Sequence, residues 1–341
     1  MTGVRIPYLE GRARQPAALE RIAARVAAQL PALGDVLAPT GRPVFVGIGA
    51  SYAALTLPVG LLAEGGILAR RELAGELGPG LALTDADLML AVSQSGRSTE
   101  TLDSLSLMPQ GRRAAVVNVV PSLLSQAVDH CVDLGNEPDS YASTIGYTGT
   151  LVALAMIART LLGAGAAEAA KEWDGIGAVL ERHEAALAPV VDEVARRAAG
   201  VVAADVVSSG AFRAVSESGA LLLREVCRVP ASALVTRNYL HGEMESAGDT
   251  LHVIIGDGRE LELAGSLAAA RHHTLCVTSA DLSPSEHLHV VPIPAAASLP
   301  VRVVLAAAVL QRLAGSLAQA RGVEIEDFVF HNSDTKIEEQ V

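Results

Sequence analysis

The chain has 341 residues, 50% of them hydrophobic, 3% aromatic and 19% charged, and its 26 basic and 38 acidic residues give a net charge of −12. That length accommodates two domains of ordinary size, each with its own core, and the apolar fraction excludes both a disulfide-stapled mini-protein and a mostly disordered chain. A strongly acidic chain without a Lys/Arg run is a poor match to nucleic acid or to an anionic membrane.

In chain order, residues 16–32 predict a helix opened by Pro16, with Leu19, Ile22, Ala23, Val26 and Leu30 at helical spacing. Residues 44–49 form a short apolar run ending in glycines, as expected of a buried strand entering a tight turn, and 52–64 follow as a helix. Strands are expected at 87–92, 114–120 and 131–134, a helix from about Ser98, and a long apolar helix over 145–162. A helix around 171–199 leads into the second half, where the order recurs: strand 205–208, helix 215–226, strands 251–256, 274–278 and 288–293, and a long helix over 300–320. The first two strand centres are separated by roughly 43 residues in one half and roughly 47 in the other, which points to an internal duplication of one α/β unit. Alternating strands and helices predict parallel sheets with helices on both faces.

Three cysteines (Cys131, Cys227, Cys276) lack metal-type spacing and are expected as reduced thiols in a cytoplasmic protein. His287 and His289 alternate along one strand without a carboxylate or Cys at matching spacing, so no metal site is expected. The N-terminus has no apolar core of a signal peptide, and the apolar stretches are interrupted by Gly, Pro or charge, so no membrane span is expected. Only Lys171 and Lys336 are lysines, which restricts any amine chemistry to two positions.

Two segments carry chemistry in the first half. Gly47-Ile48-Gly49-Ala50-Ser51-Tyr52 is a glycine turn between strand and helix that lets backbone N–H groups approach an anion, yet Tyr52 stands at the third glycine position of a dinucleotide fingerprint. In Ser93-Gln94-Ser95-Gly96-Arg97-Ser98-Thr99-Glu100-Thr101, the hydroxyls of Ser93, Ser95, Ser98 and Thr101 crowd the mouth of a parallel strand, more than a helix cap needs. These neutral donors suit phosphate oxygens. Tyr141-Ala142-Ser143-Thr144 opens the long helix and offers both a cap and a ligand contact. In the second half, Glu225 sits late in an apolar helix and His241 follows in a loop; a carboxylate and an imidazole form an acid–base pair for proton transfer beside a carbonyl. An ion pair of Glu225 with Arg224 or Arg228 and a surface histidine are the plainer alternatives.

Taken in order, the Gly47–Tyr52 turn, the run SQSGRSTET and the YAST helix start resemble the sugar isomerase (SIS) domain family, and the duplication resembles the two-domain isomerase half of glucosamine-6-phosphate synthase and the related phosphosugar isomerases, deaminases and deglycases. Arg14-Gln15-Pro16 resembles the start of that isomerase unit. The resemblance implies an α/β fold of two tandem SIS-type units, each a mostly parallel sheet flanked by helices on both faces in a flavodoxin-like αβα sandwich. The implied division is an N-terminal helical segment at 1–34, a phosphosugar-binding domain at 35–165, a linking helix at 166–199, a domain carrying the catalytic Glu and His at 200–321 and a tail at 322–341.

Carried over residue by residue, the resemblance assigns Gly49, Ser51, Ser93, Gln94, Ser95 and Ser98 to the phosphate, Glu137 and Ser143 to the open-chain sugar, Glu225 to proton transfer and His241 to ring opening. In relatives this histidine reaches the neighbouring subunit's site, which implies a homodimer with a shared active site. Arg97 stands where the family often has glutamate, and Ser98 replaces its usual threonine. Two family lysines are missing: Leu222 stands at one place and Ser333 best matches the other, leaving Lys336 as the one stand-in. The deglycases, which need no lysine there, are the better match. No glutaminase domain is expected before the isomerase unit, no SQSG-like loop marks the second unit, and no cofactor is implied. The expected enzyme is a phosphosugar isomerase or deglycase working on a sugar or ketosamine 6-phosphate through an enediol or enolamine. The alternatives are an amino-sugar 6-phosphate deaminase or isomerising aminotransferase-like enzyme, and a non-catalytic sugar-phosphate sensor.

Overall fold

The computed structural model describes residues 3–37, 41–77, 83, 85–330 and 332–337. The chain divides into two compact units, Met1–Gly177 with Val329–Val341, and Ala178–Phe328.

The first unit opens with α1 (Tyr8–Leu37), which buries the predicted stripe of Leu19, Ile22, Val26 and Leu30. It begins two turns before Pro16, because Tyr8 and Gln15 extend the same buried stripe towards the N-terminus. Then follow β1 (Pro43–Gly47), α2 (Ala50–Ala54), α3 (Thr56–Glu64), β2 (Arg70–Leu73), β3 (Leu88–Ser93), α4 (Thr99–Ser104), β4 (Arg113–Val117), α5 (Leu123–Ala127), β5 (His130–Asp133), α6 (Ile145–Leu161) and α7 (Ala166–Lys171). The strands form one parallel sheet in the order β2-β1-β3-β4-β5. Val44, Val46, Met89, Ala91, Ala115 and Val117 pack into a core with Leu105, Met108 and Leu124. The alternate residues Phe45, Leu90 and Val116 are equally buried, as in a parallel sheet covered on both faces. The edge strand β2, RREL, is half-buried at every position and lacks the apolar run that betrays a central strand.

The second unit takes α8 (Ile176–Arg197), β6 (Ala203–Ser208), α9 (Arg213–Cys227), β7 (Ala231–Val235), α10 (Thr236–Tyr239), β8 (Thr250–Ile255), α11 (Arg259–Ala269), β9 (His273–Thr278), β10 (Leu288–Pro292) and α12 (Leu299–Arg321). Its five parallel strands run in the order β10-β9-β8-β6-β7, which from the β7 edge is the same relative order as in the first unit. The stripe of α9 packs on α12, where Gly219 leaves room for the Leu310 side chain. By length and composition α12 could cross a membrane, which the sequence reading did not anticipate. Here it is a core helix, with 83% of its most apolar window buried.

Candidate functional site

The topology directs attention to the carboxyl ends of β1 and β3. These neighbours send the chain to opposite sides of the sheet, to β2 from β1 and to β4 from β3, which opens a crevice between the outgoing loops. Both predicted segments leave from that edge. After β1, Gly49 takes φ 58° as the residue preceding α2, and Ser51 lies half-buried in the first turn. Tyr52, at the third glycine position, stacks under the Arg71 guanidinium 4.3 Å from the ring centroid.

After β3 the chain turns tightly on its own hydroxyls. The buried Ser93 Oγ accepts the Gly96 N–H at 3.1 Å and lies 3.1 Å from Ser98 Oγ. Ser95 Oγ accepts the Arg97 N–H at 3.3 Å. Gly96 adopts φ +64°, and a Cβ there would collide with the Ser122 hydroxyl, so this position requires glycine. Either hydroxyl of the Ser93–Ser98 pair can donate to the other, so one proton of that pair and the Ser95 hydroxyl proton remain for other acceptors. Thr101, the fourth predicted hydroxyl, is fully buried below the loop.

Asp139, overlooked in the sequence, organises the next wall. Its carboxylate accepts from Thr144 N, Thr144 Oγ1 and Ile145 N on one oxygen, and from Gln94 Nε2, Ser143 Oγ and Gly146 N on the other, at 2.6–3.2 Å. It thereby satisfies the open amides at the start of α6 and ties two predicted ligand residues, Gln94 and Ser143, to one anchor. Gln15 donates to the Thr144 carbonyl and to Thr148 Oγ1, which fixes the start of α6 against α1. Asn118 exchanges two hydrogen bonds with the Glu137 backbone, and the Glu137 carboxylate is held bidentately by Arg21 at 2.7 and 2.6 Å.

Gln94, Ser95, Arg97, Asn118, Glu137 and Asp139 face one cleft of about 240 Å³. Residues 334–337 run along its loop: Ile337 N donates to the Arg97 carbonyl at 3.0 Å, Thr99 Oγ1 to the Asp334 carbonyl at 2.9 Å, and Lys336 bridges to Ser98. The Lys336 ammonium sits 5.7 Å from the Tyr141 ring centroid.

Glu225 and His241 belong to the second unit. Glu225 is half-buried on the last turn of α9, and His241 is exposed in the turn after α10, its N–H donating to the Asn238 carbonyl. Arg224 donates to the Ala231 carbonyl and Arg228 to the Asp327 carbonyl.

Residues 37–159, which hold the whole hydroxyl loop and its Asp139 wall, match the SIS domain. This segment of the chain is a SIS domain by its match. The chain is 30% identical over 247 residues to glutamine–fructose-6-phosphate aminotransferase [isomerizing] of Pyrobaculum aerophilum, a match covering 70% of this chain and 39% of that protein. The chain thus spans about two fifths of the length of this curated relative. Among solved structures, the C-terminal domain of glucosamine-fructose-6-phosphate aminotransferase from Francisella tularensis superposes with a TM-score of 0.81 at 19% identity, covering 93% of this chain and 96% of that one. Tagatose-6-phosphate ketose/aldose isomerase from Escherichia coli gives 0.76 at 16% identity, covering 92% of each chain. Within the SIS domain, the sequence carries a cue for Asp139 only in retrospect: an acid four residues before a Ser/Thr pair that opens an apolar helix.

The three cysteines play no visible part in the site. Burial pushes the Cys131 thiol up to about 11 and those of Cys227 and Cys276 up to about 12.

Proposed function

We propose that this chain is a phosphosugar isomerase or deglycase acting on a sugar or ketosamine 6-phosphate. The observation that supports the reading is the Ser93–Ser98 turn at the β1/β3 crevice, where Ser95 and Gln94 line a cleft of about 240 Å³ and Ser98 is bonded to Ser93 behind it. Gly49, Ser51, Ser93, Gln94, Ser95 and Ser98 hold the phosphate; Glu137 and Ser143 face the open-chain sugar. His241 assists ring opening. Glu225 takes the proton from C2 of an aldose and returns it to C1, or the reverse for a ketose, through an enediol. On a ketosamine the same transfer passes through an enolamine, after which water adds and the amine departs. Lys336, held beside Ser98, is the one lysine available near the phosphate loop. The scheme uses protons and water alone and calls on no cofactor.

The second unit is read as a second SIS-type unit because its strand order repeats that of the first. The working assembly is a cytoplasmic homodimer in which each site is completed by His241 of the other copy. A deaminase or isomerising aminotransferase-like activity is the second reading, favoured by the 247-residue likeness to the aminotransferase and opposed by Leu222 at the family lysine position.

Proton NMR in deuterium oxide with a panel of hexose and ketosamine 6-phosphates tests this. Deuterium should enter at C1 or C2 of one member, and Glu225→Gln should slow that exchange roughly 1,000-fold while the sugar phosphate still binds. Undiminished exchange in Glu225→Gln would remove Glu225 from the mechanism.

A further inference from the structure

His241 is exposed, but the short helix that carries it is anchored from below by buried polar groups. At one end of α10, Thr236 Oγ1 donates to the buried Glu260 carboxylate at 2.5 Å. At the other, the fully buried Tyr239 hydroxyl donates to Asp205 Oδ2 at 2.9 Å and lies 3.0 Å from His252 Nδ1. Asp205 and His252 are direct partners on the adjacent strands β6 and β8, so they share one face of the sheet.

The proton count fixes the direction of this chain. Tyrosine has one O–H, and Asp205 takes it; the His252 bond then requires Nδ1–H to donate to the tyrosine oxygen. That leaves Nε2 as a bare lone pair, and it has no partner among the described residues. The His272 and His252 rings meet edge-to-face with centroids 5.3 Å apart, and Glu243 acts electrostatically on both Asp205 and Tyr239.

Burying a carboxylate, a phenol and an imidazole costs more than filling the same space with Phe and Leu, so stability alone does not account for the arrangement. What it supplies is direction. The two hydrogen bonds of the Tyr239 hydroxyl tie the end of α10 to strands β6 and β8, and the chain runs from Tyr239 to His241 through one residue.

We propose that Asp205, Tyr239 and His252 are positioning residues for His241, a buried strut that sets where the imidazole stands for ring opening. This rests on the function proposed above, and its test separates the two. In the full-length protein, the His241 ring resonances are assigned by comparison with His241→Gln and followed against pH in wild type and Tyr239→Phe. The strut predicts that Tyr239→Phe, with its fold intact by amide spectra, displaces the His241 signals and titration midpoint. Asp205→Asn, which keeps the volume and an acceptor, should displace them less, and it serves if the first variant fails to fold. Unmoved His241 signals in a folded variant overturn the proposal whatever the substrate is. On the sugar phosphate identified by exchange, Tyr239→Phe should lower kcat about 10- to 100-fold with KM little changed, and His241→Ala added to it should cost little more. Additive losses would also overturn the strut. A His241→Ala variant as active as wild type would instead remove the role proposed for His241, a result the resonance shift does not depend on.

Discussion

The two sheets share one strand order, yet their switch-point edges are built from opposite chemistry. In the first unit the loop leaving β3 carries Ser95 and Ser98, and Gln94, Ser95 and Arg97 from that loop line the cleft beside it, its carboxylates Glu137 and Asp139 already held by Arg21 and by six donors. In the second, counting equally from the last residue of β8, those places hold Asp257 and Glu260. Glu260 accepts from Ser209, Thr236 and the Gly258 amide; Asp257 accepts from Thr278, Ser279 and Arg302. The donors that would clasp an anion are already clasping carboxylates. One topology therefore carries hydroxyls at these two places in one unit, where we propose the phosphate binds, and internally neutralised carboxylates in the other. The backbone fixes where a ligand can bind, and two side chains decide whether it does.

Grafting the second edge onto the first is the severest way to break this contrast. Ser95→Asp should cost roughly 100-fold or more in sugar-phosphate affinity by like-charge repulsion, as read by calorimetric titration. Next in size, Asp139→Ala should lower the unfolding free energy by roughly 3 kcal/mol, since it strands the Thr144, Ile145 and Gly146 amides at the buried start of α6. Urea melts would reveal it, and a change below 0.5 kcal/mol would demote Asp139 from anchor to bystander.

A comparable but pH-gated effect belongs to the second unit. Burial lowers the His252 pKa to about 4, against 6.5 in the unfolded chain. Above pH 6.5 both states carry a neutral ring and the stability is complete. As pH falls the unfolded chain takes the proton first, so stability drains from 6.5 down to about 4, by roughly 3 kcal/mol at most. Burial lowers His183 and His289 in the same direction, whereas it raises the Asp205 carboxyl, which opposes the trend in the carboxylate range. Urea midpoints at pH 7 and pH 5 check the sign, and equal midpoints would contradict the buried neutral ring. The smallest expected effect is at Asp257→Asn, which should leave sugar-phosphate affinity within about twofold because that edge holds no phosphate.

Much of this was readable in the sequence where burial imposes a pattern. The central strands β1, β3, β4, β6, β8 and β9 read as apolar runs because both faces of each sheet are covered. Two of the four edge strands, β2 and β7, did not, since RREL and ASALV are only partly buried and mix charge or small residues with apolar ones. The hydroxyl loop was legible because five hydroxyls in nine residues exceed what capping requires. Asp139 was not, because an acid in a loop looks alike whether it faces water or six donors. Tyr239 escaped notice for a related reason: its partners Asp205 and His252 lie on separate strands, and only strand pairing brings them together.

The proposed function places the phosphate at the β3 edge and not at the β8 edge. The most direct measurement is titration of the full-length protein with fructose 6-phosphate, followed by phosphorus NMR and calorimetry, in wild type, Ser95→Asp and Asp257→Asn. One site per chain is expected, lost in Ser95→Asp and kept in Asp257→Asn. Two sites per chain, or binding that survives Ser95→Asp and fails in Asp257→Asn, would contradict it.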